Sequence, residues 1–303
     1  MSPPTAAADF EIKPSEAPAS TATVAACLQR GTRALASRSE SPRLDAELLL
    51  CHVLRVSRAA LVVRGADAVD TEDQCRYDDL IAQRAARMPI AYLTGSREFW
   101  SLELHVTPDV LVPRPETELL VELALQRLPQ DQPRTVLDLG TGSGAIALAI
   151  AIERPLARII AVDLSARALA VASSNSARLG LSRIEFRLGS WFHAVSGVTA
   201  DLIVSNPPYV AGNDPALELL THEPALALAS GPAGLDALRA IVGNAAQHLN
   251  PGGWLLLEHG HTQDVEVVAL LQRQGFDGIT SHADYSGKPR VTLGTVHHTR
   301  DTY

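Results

Sequence analysis

Residues 135–150 read Thr135-Val136-Leu137-Asp138-Leu139-Gly140-Thr141-Gly142-Ser143-Gly144-Ala145-Ile146-Ala147-Leu148-Ala149-Ile150, and this stretch decides the fold. Its first five residues form a short apolar run broken by one acid, as a strand buried on both faces requires. Gly140, Gly142 and Gly144 give the backbone freedom for a tight turn and a close approach to a ligand. The apolar run behind them reads as a helix. Strand, glycine loop and helix together predict one unit of a doubly wound α/β sheet.

Such a unit can hold a pyrophosphate, and Asp163, after the apolar run Ile159 to Val162, stands where a ribose-binding acid is expected. A dinucleotide enzyme is therefore one reading. Two details argue against it. The loop is G-x-G-x-G without the later glycine of the dinucleotide fingerprint, and Asp138 precedes it, where a carboxylate would repel pyrophosphate but favour a cationic donor. S-adenosylmethionine, with its sulfonium and ammonium, is such a donor. Downstream, Asn206-Pro207-Pro208-Tyr209 follows the apolar run Leu202-Ile203-Val204. Asn206 can accept a hydrogen bond from a planar NH2 group, and the two prolines fix φ and bring no N–H, so the Pro207 carbonyl can face the second proton. Pro208 completes the turn and Tyr209 can lie flat on the planar group. A proline turn closing a buried strand is the plain alternative.

The alternation continues outward. Strands are expected at Thr135 to Leu139, Ile159 to Val162, Ile184 to Leu188, Leu202 to Ser205 and Trp254 to Glu258, with Ile279 to Ala283 and Val291 to Thr295 as a final pair. Gly140, Asp163, Trp191 and Asn206 each follow one of these strands, so all four should converge on one cleft. Upstream, Val24 to Arg38, Pro42 to Val53, Arg58 to Val63 and Thr71 to Arg87 carry helical periodicity. Pro89 ends this small bundle, and Ile90 to Val112 looks extended, with Leu102, Leu104 and Val106 alternating as in a hairpin. The expected boundaries are a disordered tail over 1–22, a helical substrate-recognition domain over 23–88, a hairpin linker over 89–113, the catalytic domain over 114–297 and a tail over 298–303.

Composition excludes several classes. No apolar stretch is long and uninterrupted enough to span a membrane. The net charge of −8 opposes nonspecific nucleic-acid binding. Cys27, Cys51 and Cys75 lack metal spacing and read as reduced thiols of a cytoplasmic protein. Glu258-His259-Gly260-His261 superficially suggests a metal, but no third ligand supports it, so none is expected.

Several separate motifs make the chain similar to the release factor glutamine methyltransferases over about Thr23 to Val296. They are Arg43-Leu44-Asp45-Ala46-Glu47-Leu48-Leu49-Leu50, Pro89 to Gly95, Arg97-Glu98-Phe99-Trp100, Val112 to Glu118, Asp138 to Gly144, Trp191-Phe192, Val204 to Tyr209, Glu223-Pro224 and Leu257 to Gly260. That family methylates the side-chain amide of the glutamine in the Gly-Gly-Gln loop of peptide chain release factors. The resemblance implies a seven-stranded Rossmann-like methyltransferase sheet behind a small helical bundle, S-adenosylmethionine as cofactor, and release factors as partners.

In that frame Gly140, Thr141, Gly142, Ser143 and Gly144 run beneath the donor, Asp163 takes its ribose hydroxyls, and Asp138 and Asn206 complete the donor site. By similarity, Trp191 sits against the adenine, and Phe99 with Pro113 to Glu118 forms a lid. Glu223-Pro224 helps seat the protein substrate. Ser190 is a departure, since relatives often carry Asp there. Asn206, Pro207, Pro208 and Tyr209 hold the acceptor for direct methyl transfer. A monomer is the expected state. Other acceptors on the same chemistry are a ribosomal-protein glutamine, or adenine or guanine of DNA or ribosomal RNA. A noncatalytic docking protein is the reading from another class, which intact Asn206 and Tyr209 oppose.

Overall fold

The computed structural model describes residues 22–296. The two expected tails, Ala22 apart, lie outside the described residues. The chain divides between Ala86 and Arg87 into two units.

The first unit is four helices: α1 (Val24–Leu35), α2 (Pro42–Leu54), α3 (Arg58–Val63) and α4 (Thr71–Ala85). Three begin on a side-chain cap that satisfies a first-turn amide: Thr23 for α1, Ser57 for α3 and Asp70 for α4. Pro42 opens α2, where its missing N–H costs nothing. Helix α4 stops short of the expected Arg87 because that residue takes a φ of 72°, which no right-handed helix continues through. Cys27, Leu35, Leu49, Leu50 and Tyr77 are fully buried between the helices. The one buried acid among the described residues of this unit, Asp45, is held by Arg84 at 2.7 Å and by the Ser39 hydroxyl at 2.6 Å.

The second unit opens with a correction. Residues 90–94, expected to be extended, form a short helix, α5 (Ile90–Thr94), started by Pro89 and closed by Gly95 at φ 75°. The expected hairpin follows as β1 (Ser96–Phe99) and β2 (Leu102–His105), joined by Trp100 and Ser101. Both turn residues have positive φ, 52° and 58°, as a two-residue type I′ turn demands. Neither is glycine. The strain is offset by anchoring, since the Trp100 backbone N–H donates to Glu118 and its indole N–H to Glu153, each at 2.9 Å.

A single 3-10 turn, Pro115–Thr117, then leads into α6 (Glu118–Leu125). Short 3-10 turns apart, the elements that follow are β3 (Thr135–Leu139), α7 (Ala145–Glu153), β4 (Arg158–Asp163), α8 (Ala166–Arg178), β5 (Glu185–Leu188), β6 (Ala200–Ser205), α9 (Asp236–Ala245), β7 (Leu249–Glu258), α10 (Asp264–Arg273), β8 (Asp277–Ala283) and β9 (Pro289–Thr295). Seven of these strands form one sheet in the order β5-β4-β3-β6-β7-β9-β8. The first five are parallel; β9 runs antiparallel to both its neighbours. Strand β7 begins at Leu249, ahead of the expected Trp254, with a slip in pairing between Ala200 and Leu202.

Alternate residues of each strand feed opposite cores, the period of two expected of a pleated sheet. Val136, Ile159 and Leu202 pack under α6 and α7. Leu137, Ile160 and Ile203 pack under α9 and α10. Strand β3 pairs with β4 on one side and β6 on the other, so the connections diverge there and leave a crevice beyond the carboxyl ends.

Gly31, inside α1, shows packing overruling helix propensity. Alanine is favoured over glycine in a helix by about 1 kcal/mol. A Cβ at Gly31 would collide with the Tyr77 hydroxyl and stand 2.9 Å from Ile81 Cδ1, and Tyr77 could no longer donate to the Ala46 carbonyl. Overpacking costs about 1–3 kcal/mol and a lost buried hydrogen bond about 1 more. Gly31→Ala is therefore expected to destabilise the first unit by roughly 1–3 kcal/mol, read as a lowered denaturant midpoint.

Candidate active site

A cavity of about 430 Å³ opens at the carboxyl edge of the sheet, walled by the loops after β3, β4, β5 and β6. Gly140 sits at φ 76°, Gly142 at 57° and Gly144 at 85°. The Gly140 and Thr141 amides donate to the Val162 carbonyl at 2.8 and 3.0 Å, which pins the loop to β4. A Cβ on Gly140 would stand 3.3 Å from the Trp191 ring. Gly144 does not line the cavity; a Cβ there would meet Leu148 at 3.1 Å and Ala172 at 3.2 Å, so its freedom serves the packing of α7 on α8.

Asp138 also stays out of the cavity. Its carboxyl is fully buried below the loop and accepts from the Thr141 hydroxyl at 2.6 Å, while Oδ1 has no partner. Burial pushes it from 3.8 to about 7, against the opposing pull of the Thr141 hydroxyl and the Ala147 amide, with the nearby charge of Asp163 adding to the rise. The sequence reading set this acid against a cationic donor; in the structure it braces the loop instead.

Asp163 does line the cavity. One carboxylate oxygen accepts from the Gly142 amide and the other from the Ser165 amide, both at 2.9 Å, so the group is aimed by backbone. Its pKa is raised by burial, and these amides oppose the shift. Trp191 takes a φ of 44°, a strained value for an aromatic residue, and this brings its ring over Gly140 on the cavity wall beside Ser190. Thr141, Gly142 and Ser143 complete that wall.

Across the cavity stand Asn206 and Pro208. Pro207 is buried, and neither it nor Tyr209 forms part of the wall. Asn206 Nδ2 donates to the Thr117 hydroxyl at 3.1 Å, and its Oδ1 has no hydrogen bond among the described residues. The Tyr209 hydroxyl donates to Glu258 at 3.2 Å, and its carbonyl accepts from Gln263 at 3.1 Å. Glu258 is 1 % exposed and is pushed up to about 7, chiefly by burial.

Other expectations are redistributed. Pro113, Arg114 and Thr117 line the cavity as a lid would, but Phe99 is 1 % exposed and packs with Leu104 and Leu120 in the core. Glu223 is likewise buried; its carboxylate binds the Arg114 guanidinium and the Val112 amide, so it ties down the lid segment while Pro224 faces the cavity. His259 is buried, held by the Gly260 carbonyl at 2.9 Å and the Thr292 hydroxyl at 2.8 Å, and burial lowers its pKa. Among the described residues no group of three or more His, Cys, Asp or Glu side chains is arranged to hold a metal. Asn175 carried no signal in the sequence. Its amide accepts from the His105 N–H at 2.7 Å and donates to the His105 and Ser143 carbonyls, joining the hairpin, the glycine loop and α8.

Comparison with known proteins agrees with this architecture. Residues 26–95 match a family model described as the PrmC N-terminal domain, and residues 117–281 match the methyltransferase small domain. The release factor glutamine methyltransferase of Xylella fastidiosa strain Temecula1 is 49 % identical over 83 % of this chain and 92 % of its own length. That of Pseudomonas aeruginosa is 48 % identical, over 84 % of this chain and 93 % of its own. Among solved structures, a methyltransferase from Pyrococcus furiosus aligns with a TM-score of 0.51 and 17 % identity, over 76 % of this chain and 100 % of that one. A T. thermophilus 16S rRNA N2 G1207 methyltransferase in complex with AdoMet and guanosine aligns with a TM-score of 0.51 and 24 % identity, over 66 % and 49 %. These two show the fold.

Two expectations follow for the glycine loop. Gly140→Ala forces a side chain into left-handed backbone, at about 1–2 kcal/mol, and displaces Trp191; it should weaken ligand binding in the cavity about tenfold or more by calorimetry. A carboxyl with a folded-state pKa near 7 and an unfolded one near 3.8 is protonated in the fold while the unfolded chain is charged, so its contribution to stability is full below about 4 and is lost as pH rises through about 7. Asp138→Asn should flatten that part of the melting temperature against pH.

Proposed function

The chain belongs to the release factor glutamine methyltransferase family, and from that premise we propose that its cavity binds S-adenosylmethionine and directs the methyl group to the side-chain amide nitrogen of the glutamine in the Gly-Gly-Gln loop of a peptide chain release factor. The observation that carries the reading is Asn206: its NH2 is taken by Thr117, which leaves a carbonyl oxygen at the cavity wall to accept from the NH2 of another amide.

The residues present fit the donor. The cavity falls within the roughly 300–1,000 Å³ of small-molecule sites. Asp163 keeps lone pairs for ribose hydroxyls beyond the two amides that hold it. Bare backbone at Gly140 beneath Trp191 leaves a slot that a Cβ would narrow. Of the charged groups lining the cavity, Asp109 is paired with Arg167, Asp236 with Arg239 and Arg114 with Glu223, which leaves Asp163 as the acid without an ion pair. A site with that balance favours a cationic ligand. The Ser190 hydroxyl, at the Trp191 end of the cavity, has no hydrogen bond among the described residues and is a single polar group there.

When bound, S-adenosylmethionine supplies a methyl group on a sulfonium, which becomes a thioether as the methyl leaves. Asn206 holds the acceptor amide by one N–H, and the Pro207 carbonyl is assigned the other. Both contacts strengthen as positive charge develops on nitrogen, so they stabilise the transition state more than the ground state. Holding nitrogen in line with the methyl supplies the larger share of the acceleration. The nitrogen's surplus proton passes to water. Tyr209, anchored through Glu258, stiffens the turn that carries these acceptors.

This reading describes a monomer acting in the cytoplasm. Cys27, Cys51 and Cys75 are free, as thiols are in a reducing compartment. The net charge of −8 argues for a protein acceptor over a nucleic acid. No helix among the described residues is long and apolar enough to cross a membrane.

Label from S-adenosylmethionine should appear on intact release factor and not on a variant whose Gly-Gly-Gln glutamine is replaced. Label on ribosomal protein, ribosomal RNA or DNA in the same mixture would overturn the acceptor assignment. Asn206→Ala should cut kcat by about 100-fold or more while donor affinity changes by a few-fold at most. Equal loss of both would contradict the role given to Asn206.

A further inference from the structure

The turn that carries the acceptor contacts cannot tie itself down. Pro207 and Pro208 have no N–H to donate, and the Pro207 carbonyl is assigned to the acceptor, so the middle of the turn has no backbone group of its own to bond with. With φ locked at both prolines, the segment moves nearly as one piece and is placed by its two ends. The sheet fixes the entrance: Asn206 follows β6, whose last residue, Ser205, donates to the Leu139 carbonyl at 2.6 Å. The exit is Tyr209. It is held from the turn between β7 and α10.

Glu258 takes the hydroxyl of Tyr209, and Gln263, the residue before α10, takes its backbone. Gln263 Nε2 donates to the Tyr209 carbonyl at 3.1 Å, and Gln263 Oε1 accepts from the Gly260 N–H at 2.9 Å. Shape alone would let a glutamine amide sit either way round. Here the partners decide, because a backbone N–H only donates and a carbonyl only accepts, so the NH2 must face Tyr209. The amide is itself braced. Gly260 is pinned at its carbonyl by the Gln263 backbone N–H and by His259 Nδ1, each at 2.9 Å, and His259 Nε2 faces the buried Thr292 hydroxyl at 2.8 Å. Behind Gln263, Val267 and Leu271 root α10 in the core.

The Tyr209 carbonyl is enclosed from another side by Gly234, at φ 71°, where a Cβ would collide with that oxygen and stand 2.9 Å from Gln263 Nε2. The next N–H, that of Val210, donates to the Leu228 carbonyl at 2.9 Å, so the peptide after Tyr209 is held at both its oxygen and its nitrogen. We infer that Gln263 is a positioning residue for methyl transfer: by fixing the Tyr209 carbonyl it sets the turn so that the Asn206 oxygen and the Pro207 carbonyl face the acceptor amide. Gln263 does not line the cavity, so it acts through the turn and not on the ligands. The inference rests on the role proposed for Asn206.

The test is methyl transfer to intact release factor, with donor affinity and melting temperature measured separately, for wild type, Gln263→Ala, Gln263→Glu, Asn206→Ala and the double variant Asn206→Ala with Gln263→Ala. Misplacing a reacting group by about 1 Å costs on the order of 100-fold, so Gln263→Ala should lower kcat about 10–100-fold with donor affinity within about twofold. One lost hydrogen bond should take only about 2–4 °C from the melting temperature. Gln263→Glu keeps the shape and the acceptor for Gly260 but sets a carboxylate oxygen against the Tyr209 carbonyl, so it should lose at least as much turnover as alanine. In the double variant the loss should fall well short of the product of the two single losses, because both changes act through one contact.

Wild-type turnover in Gln263→Ala overturns the inference. Wild-type turnover in Gln263→Glu also overturns it, since the residue would then only brace Gly260. So does donor affinity that falls in step with kcat, or losses that multiply in the double variant. With Asn206→Ala inactive, each of those results leaves the reading of Asn206 standing. Wild-type turnover in Asn206→Ala would remove that reading and the role of Gln263 with it.

Discussion

Parallel pairing of β3 with β4 on one side and β6 on the other is the constraint on which the rest depends. Because the strands run in one direction, each must be followed by a loop at the same edge. Because the connections diverge at β3, those loops surround an opening instead of packing on one another. Val136 sits level with both Ile159 and Leu202, so the three strands end at nearly the same height. Gly140, Asp163 and Asn206 reach one cavity for that reason, though long stretches of chain separate them.

The cavity is held open by polar groups that are themselves buried. Ser205 donates to the Leu139 carbonyl at 2.6 Å, stapling the end of β6 to that of β3. Asn175 joins the glycine loop to the hairpin, Asp138 braces Thr141, and Glu258 holds Tyr209. Buried polar groups left without partners are costly, so such networks specify one arrangement over near alternatives. Asp138 and Glu258 each keep one oxygen without a partner and each is raised to about 7. Both acids sit beneath the site, and neither lines it. These bonds fix the loops where the site must orient a weak nucleophile.

Much of this was legible in the sequence because it depends on local pattern. Contiguous apolar runs marked the strands, the glycines marked the loop, and Asp163, Trp191 and Asn206 were placed by standing just after a strand. Helix α5 escaped notice because five residues are too few to display a period. Phe99 and Glu223 were located but misread. Each sits in a motif near the lid, and only burial distinguishes a core ring or a tie to Arg114 from an exposed contact. The supporting residues were out of reach for a simpler reason. Thr117 and Asn206 are 89 residues apart, Asn175 and His105 are 70 apart, and Tyr209 and Glu258 are 49 apart. No spacing rule relates such pairs; the sheet order does.

The central claim is that the Asn206 oxygen receives the acceptor amide in line with the methyl donor. It is tested most directly by a crystal structure of the chain with intact release factor and S-adenosylhomocysteine. The account predicts the glutamine amide nitrogen about 3 Å from Asn206 Oδ1, with Nδ2 still on Thr117 and the ligand's sulfur on the opposite side of the nitrogen. A glutamine side chain that stays outside the cavity, or one that meets Asn206 through Nδ2, would contradict it.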